Sequence, residues 1–181
     1  QGDRMAMKEN REAFEYEPSE IDMLFVTHAH LDHVGRIPKL IKDGFKGVIY
    51  STSETMALAR LILEDAVGLL ERESNEEGIL PLYEERDVQK AFTLWQTIPY
   101  HVETPFPEGF SVFLRDAGHI LGSSMIQFTY ENKKIVFTGD LGNTPTPLLK
   151  DTEAITGADY LIMESVYGDR NHEPKDERRG K

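Results

Sequence analysis

Four side chains of metal-binding type lie within six residues of one another: His28, His30, Asp32 and His33. In extended chain, side chains two positions apart point the same way, so His28 and His30 can hold one ion. Asp32 and His33 come where the chain turns into a predicted helix, and they can face a second ion. The chain has no cysteine, so any metal must be held by His, Asp and Glu. The spacing predicts a metal site, against the alternative of a fortuitous surface cluster.

Two further candidates lie downstream, each next to glycine and close to the end of a predicted strand. His119 lies in the loop 116–124, where a lone histidine would more often make local hydrogen bonds. Asp140 follows the predicted strand 134–137, and its alternative use is in a turn or as a helix N-cap. A carboxylate has two oxygens, so Asp140 can also bridge two cations ~3.5–4 Å apart. Because the first cluster is present in the same chain, we interpret both residues as ligands.

Short apolar runs predict the strands that must position these residues. Residues 23–26 have the length of a buried strand and lead directly to His28, as in open α/β sheets that place their sites at strand ends. Asp22, ahead of this strand, either orients a ligand imidazole as a hydrogen-bond acceptor or is a simple strand-end residue. Residues 131–133 are predicted as a hairpin turn. The other predicted strands are 48–50, 100–104, 110–114, 125–130, 134–137 and 160–163.

Apolar residues at helical spacing predict the helices. Residues 35–42 form the first, and 51–54 have the form of a capping box ahead of the second. The second helix is indicated by a stripe that 74–78 interrupts: Leu58, Leu61, Ile62, Ala66, Leu69 and Leu70. Another stripe follows at Val88, Ala91, Phe92 and Trp95. We interpret both stripes as core faces, and strands mixed with helices of this length indicate an α/β layered domain.

Composition limits the classes of protein to consider. The 181 residues carry a formal net charge of −12, which argues against a binding module that attracts phosphates by charge alone. It does not argue against a metal-dependent nuclease, because bound cations are then the largest local charges. Residues 1–20 are polar and weakly patterned. No signal peptide and no apolar run of the ~20 residues that a membrane helix needs is found, so we expect a cytoplasmic protein without membrane contact.

The order His28-Ala29-His30-Leu31-Asp32-His33, then His119 with its glycines, then Asp140 after an apolar strand, resembles successive motifs of the metallo-β-lactamase superfamily. The resemblance covers roughly residues 22–172 and implies an αββα sandwich, here partial and lacking elements at both ends. Residues 1–166 would form the core segment, and 167–181 a charged tail leading toward a cap domain outside this sequence.

Residues 161–172, Leu-Ile-Met-Glu-Ser-Val-Tyr-Gly-Asp-Arg-Asn-His, resemble the first signature of the β-CASP group, whose members process nucleic acids. Val166 replaces the usual threonine. The glutamate at position 164 resembles the residue found at this position in the RNA-cutting members, such as the nuclease subunit of the cleavage and polyadenylation factor. DNA-repair members usually carry aspartate there. Without this context Glu164 would be a hinge or cap residue. Arg170 either contacts phosphate or is solvated, and we interpret His172 as a loop histidine and assign no role to His101.

The resemblance implies two zinc ions, with Mn²⁺ as a substitute, that activate water for attack on a phosphodiester. It assigns His28, His30 and His119 to the first ion. It assigns Asp32 and His33 to the second ion, and Asp140 to the position that bridges the two. The expected catalytic residues are Asp32, Asp140 and Glu164. In the family, the glutamate supports a histidine that protonates the leaving oxygen.

That histidine, and a later one that completes the second metal, lie outside this sequence. We therefore expect a segment of a larger RNA nuclease, which could be a homodimer at full length. Alone, the 181 residues should hold the first metal better than the second and cut RNA poorly. The alternatives are a DNA nuclease of the same group, a thioester or lactone hydrolase of the same fold, and an inactive scaffold homologue.

Overall fold

Helices and strands alternate in the first half of the chain, and strands dominate the second. The computed structural model describes residues 4–143 and 146–169. The helices are α1 (Arg4–Arg11), α2 (Leu31–Val34), α3 (Ile37–Lys42), α4 (Ser53–Glu77) and α5 (Glu85–Thr93), with a 3₁₀ turn at Pro18–Glu20. The strands are β1 (Met23–Phe25), β2 (Val48–Ser51), β3 (Trp95–Thr97), β4 (Thr104–Pro105), β5 (Ser111–Asp116), β6 (Ser124–Tyr130), β7 (Lys133–Phe137) and β8 (Tyr160–Ile162).

The first sheet consists of three parallel strands in the order β1-β2-β3. The helices connect these strands and cover one face of the sheet, where Ile49, Leu63 and Val88 are fully or almost fully buried. Trp95 begins β3, is 7% exposed, and donates its indole N–H to the Ser51 hydroxyl at 2.9 Å. Burial of these side chains is the main stabilising contribution to this layer.

The second sheet has five strands in the order β4-β5-β6-β7-β8. Its pairings are antiparallel except for that of β7 with β8, which is parallel. The predicted hairpin is confirmed: Glu131 and Asn132 both have positive φ, 46° and 63°, as a two-residue type I′ turn requires. The hairpin sets the register in which Tyr130 pairs with Lys133.

Aromatic side chains join the two sheets face to face. Phe25 of β1 makes an edge contact with Phe128 of β6, with ring centroids 4.9 Å apart, and stacks on Tyr50 at 5.2 Å. Val112 and Leu114 of β5 are buried in the same cluster. The result is a helical layer on two packed sheets, which confirms the predicted α/β sandwich in its partial form. Within the described residues, no second helical layer covers the outer face of the five-stranded sheet.

Several predicted elements were wrong in detail. The stripe on α4 is centred on Ala59, Leu63 and Val67, which leaves Leu61 and Leu69 64% and 50% exposed. Helix α4 also continues through 74–77 and ends at Gly78, whose φ of 68° is left-handed, a common helix ending. The cap of α4 lies one residue later than predicted: the Thr52 side chain accepts from Thr55 N.

The other corrections concern strands. Trp95 belongs to β3, which the sequence pattern assigned to a helix, and α1 was not predicted. Of the predicted strand 100–104, only Thr104 belongs to a strand, while Tyr100 forms an isolated bridge with Leu114. Strand β1 is half-buried rather than buried, because its three side chains are partly exposed.

Arg170 and His172 lie outside the described residues, and the boundary between 166 and 167 stays a prediction. Within the described residues, no helix is long and apolar enough to span a bilayer.

Candidate metal centre

The carboxyl ends of four strands meet at one edge of the molecule. β5 and β7 are both antiparallel to β6, so they run in the same direction, and β8 runs parallel to β7. The end of β1 is joined to the start of β6 by a hydrogen bond from Ser124 N to Thr27 O at 2.8 Å. His28, His119, Asp140 and Glu164 each follow one of these strand ends. Topology alone therefore brings residues from four distant parts of the chain together.

Three histidines and one aspartate converge at this edge. The ligand atoms of His28, His30, His119 and Asp140 all lie within 4.8 Å of one another. His30 Nδ1 is 3.1 Å from His28 Nε2 and 3.0 Å from His119 Nε2. Asp140 Oδ2 lies 3.7 Å from the Nε2 atoms of both His28 and His119. The structure thus brings together residues whose convergence the sequence predicted.

The second oxygen of Asp140 faces a different histidine. Asp140 Oδ1 is 3.4 Å from His33 Nε2, and His33 Nε2 is 3.7 Å from Asp32 Oδ2. The Asp32 side chain is 79% exposed and that of His33 32% exposed. Asp32 and His33 therefore lie at the rim, outside the tight group of four. Their role as ligands stays a prediction.

The spacing of the three imidazole nitrogens fits a common ion. Ligands ~2.0–2.1 Å from a tetrahedral zinc are about 3.3 Å apart, close to the 3.0 Å and 3.1 Å that separate His30 Nδ1 from its neighbours. Three imidazoles and a carboxylate, without thiolate, suit zinc and other borderline divalent cations. The donor set and its spacing therefore fit a metal ion.

His28 forms the floor of the cluster. Its side chain is fully buried, and burial, followed by the electrostatic influence of His33, lowers its pKa to about 4. Burial also lowers the pKa of His119. His28 Nδ1 lies 3.2 Å from Thr27 Oγ1, so a proton on Nδ1 can be donated to that hydroxyl while Nε2 keeps its lone pair toward the cluster. Both rings are thus suited to be neutral ligands at neutral pH.

The metal-free protein should lose stability in acid because of His28. Its imidazole binds a proton below pH 6.5 in the unfolded chain but only near pH 4 in the folded one, so protons favour the unfolded state between these values. One such group contributes a slope of up to about 1.4 kcal/mol per pH unit. Urea unfolding followed by circular dichroism, in chelator, between pH 7 and pH 4 measures it. His28→Asn should flatten the slope, and equal slopes in the two proteins would contradict the prediction.

The loop that carries His119 is fixed by hydroxyl groups. Ser123 Oγ accepts from His119 N at 3.1 Å and from Ile120 N at 3.2 Å. The Gly122 carbonyl accepts from the hydroxyls of Thr52 and Thr55 at 2.7 Å and 2.8 Å. The N-terminus of α4 therefore supports the loop from below, although these two threonines are about 70 residues away along the chain.

The loop that carries Asp140 is fixed by Glu164. The Glu164 carboxylate accepts from Leu141 N at 2.6 Å, and Glu164 N donates to Thr138 Oγ1 at 3.2 Å. Gly139 has a φ of 55°, and a Cβ there would lie 2.7 Å from Thr27 Oγ1. The backbone around Asp140 is thus held between the ends of β8 and β1. Glu164 lies at the site, as the sequence predicted.

Sequence reasoning placed Glu164 at the site but missed the hydroxyl residues that support the ligands, and of its two interpretations of Asp22 the structure agrees with the simple strand-end residue. Asp22 is exposed at the start of β1, whereas His28 follows the other end of that strand. The partner of His28 is Thr27, not Asp22. A hydroxyl directly before a ligand histidine is a signal that could have indicated Thr27, and Ser123 is recognisable as a turn hydroxyl four residues after His119. His101 pairs with Glu153 at 2.6 Å and is not among the four clustered ligands.

Comparison with known proteins gives a consistent family. A family model described as the metallo-beta-lactamase superfamily matches residues 2–171. Ribonuclease TTHA0252 of Thermus thermophilus is 35% identical over 165 residues, covering 91% of this chain and 36% of its own length. Cleavage and polyadenylation specificity factor 73 of Drosophila melanogaster is 35% identical over 164 residues, covering 90% and 23%. RNase aCSPSF2 of Saccharolobus solfataricus is 35% identical over 157 residues, covering 86% and 30%.

This chain spans about a third or less of the length of these three relatives. The family model, in contrast, matches nearly all of the chain, and its match includes the four clustered ligands. By this match, and by the fold and motif order described above, the chain belongs to the metallo-beta-lactamase superfamily.

Proposed function

We propose that this chain carries the metal-binding part of an RNA-cleaving hydrolase that uses two zinc ions, with Mn²⁺ as an alternative. One observation carries the proposal: the two oxygens of Asp140 face different sets of ligands, Oδ2 toward His28 and His119 and Oδ1 toward His33. A carboxylate in this arrangement is suited to bridge two cations. Similarity to proteins named as ribonucleases supports RNA as the substrate.

The proposed first ion is held by the three histidine nitrogens that lie within a few ångström of one another: His28 Nε2, His30 Nδ1 and His119 Nε2. Asp32 and His33 would hold the second, and Asp140 would serve both sets of ligands. The increasing exposure from His28 to Asp32 supports this order, because the ligand set is complete at the buried end and open at the rim. We expect the first ion to bind more tightly.

Two cations at this position would supply Lewis acidity and acidify a bound water. The residues of the chain would orient the two cations and offset part of their charge. His28 stays neutral, since its pKa is about 4, and Asp140 provides a negative charge next to both histidine sets. Glu164 fixes the Asp140 loop through Leu141 N, and its proposed further role is to support a proton donor. In a chain of net charge −12, the polyanion would be attracted by the cations and not by a basic surface.

The substrate is tested by presenting one labelled RNA, the DNA of the same sequence and a generic thioester. We expect the full-length gene product to cut the RNA, to lose this activity in chelator, and to regain it with Zn²⁺. Preference for the DNA or the thioester would instead support the corresponding alternative. A protein that binds no metal would support the scaffold alternative and contradict the proposal.

The 181-residue chain is tested for metal content. We expect close to one tightly bound zinc per chain and weak turnover of RNA. Two tightly bound ions with robust cleavage would contradict the expectation that this chain holds the first ion better than the second and cuts RNA poorly. Two of the relatives are named as ribonucleases, which supports an intracellular and, as we propose, cytoplasmic site of action. The homodimer proposed for the full-length protein is checked by light scattering.

A further inference from the structure

Three backbone segments meet behind the candidate metal centre. Gly142 N donates to Ala117 O at 2.8 Å, which joins the loop of Asp140 to the loop of His119. The Thr152 hydroxyl lies 2.9 Å from Ala117 O and 3.3 Å from Gly142 O. A single side chain, distant from both ligands in sequence, therefore contacts the two loops at once.

The backbones of the three segments are too close together to admit an additional side-chain atom. A Cβ at Gly118 would lie 2.8 Å from Thr152 N and 2.9 Å from Thr152 Oγ1. A Cβ at Gly142 would overlap the carbonyl group of Gly118 and lie 2.8 Å from His119 N. Because the three segments touch backbone to backbone, a small movement of Thr152 must displace at least one ligand loop.

The segment that contains Thr152 is itself held in place. Glu153 N donates to Asp116 O at 3.1 Å, and the Glu153 carboxylate contacts His101 Nε2 at 2.6 Å. Ile155 and Ala158 pack against the buried cluster on the outer face of the five-stranded sheet. Thr152 is thus anchored on its C-terminal side by the two hydrogen bonds of Glu153 and by apolar packing.

We propose that Thr152 is a positioning residue that sets the separation of His119 and Asp140. Its hydroxyl contacts the carbonyls two residues before His119 and two residues after Asp140. It reaches neither ligand side chain, so it acts on metal affinity through the backbone of the two loops. The inference rests on the proposed metal centre and adds to it a residue outside the ligand set.

Thr152→Val, which keeps the shape of the side chain but removes the hydroxyl, tests the inference. Loss of a partner that orients ligands typically lowers metal affinity about 10–100-fold, and we expect a loss of this size for Zn²⁺ in competition with a chelator. Thr152→Ser should restore affinity, because it keeps the hydroxyl. The visible absorption of bound Co²⁺ should change in Thr152→Val and return in Thr152→Ser.

Thr93→Val is the matched control, since the Thr93 hydroxyl also donates to a carbonyl, that of Lys90 at 2.7 Å, at the end of α5. It should leave zinc affinity unchanged. If Thr152→Val does not fold, Thr152→Ala carries the same expectation. Wild-type affinity in a folded Thr152 variant without the hydroxyl overturns this inference alone. A wild-type chain without zinc affinity overturns the proposed metal centre and this inference with it.

Discussion

Replacing Asp140 with asparagine is expected to abolish binding of the second ion and to weaken the first by more than about 100-fold, beyond the range typical of residues that only orient ligands. Asparagine keeps the shape but loses the charge, and one of its two terminal atoms becomes a donor that cannot bind a cation. Because the two oxygens face His28 and His33 separately, both halves of the centre are affected. Metal content and chelator competition measure the loss.

Asp159→Asn is the matched control for this substitution. Asp159 accepts hydrogen bonds from Lys133 Nζ and Lys134 N at 2.7 Å and 2.9 Å, at the opposite end of β7 from Asp140. Its replacement should leave zinc affinity within about 3-fold of wild type, well below the change typical of orienting residues. Comparable losses in the two variants would show that Asp140 has no special place in the site.

Replacing Gly142 with alanine is expected to destabilise the protein by about 1–3 kcal/mol or more and to weaken metal binding at the same time. The added Cβ would overlap the Gly118 carbonyl and approach His119 N, so one of the two ligand loops must move. Thermal unfolding followed by circular dichroism, in chelator, measures the stability without any contribution from metal. Zinc affinity of the folded variant measures the displacement of the ligands.

Gly68→Ala provides the opposite expectation in the same chain. Gly68 lies within α4 with no atom near the position of an added Cβ, and alanine in a helix is more stable than glycine by about 0.5–1 kcal/mol. This variant should therefore unfold at a higher temperature and bind zinc normally. If Gly142→Ala were as stable as Gly68→Ala, the close approach of the two loops would be refuted.

The convergence of the four ligands could be predicted because it depends on local signals. The pattern of apolar runs placed His28 and Asp140 after strands, and the carboxyl ends of strands that run in one direction meet at one edge. The order of motifs added His119. The convergence itself was expected from the resemblance in motif order, and each ligand identified in the tight group was in the predicted set.

Thr152 could not be predicted, for the opposite reason. It contacts backbone atoms of two loops, 35 and 10 residues away, and a lone threonine carries no signal of such partners. Glu164 was expected at the site from its motif, but its bond to Leu141 N, 23 residues away, was not. The misassigned Trp95 has a similar cause: it continues the helical spacing of Val88 and Ala91, yet pairing with β2 places it in a strand. Tertiary contacts thus override local preference where the two compete.

Trp95 also gives the protein an intrinsic optical reporter. It is the only tryptophan in the chain, and its indole is buried against Phe92 with parallel rings and bonded to Ser51. Its fluorescence should be blue-shifted in the native state and move to longer wavelength as the first sheet separates from its helices. Opening of this layer can therefore be followed by emission from one native residue, without any dye.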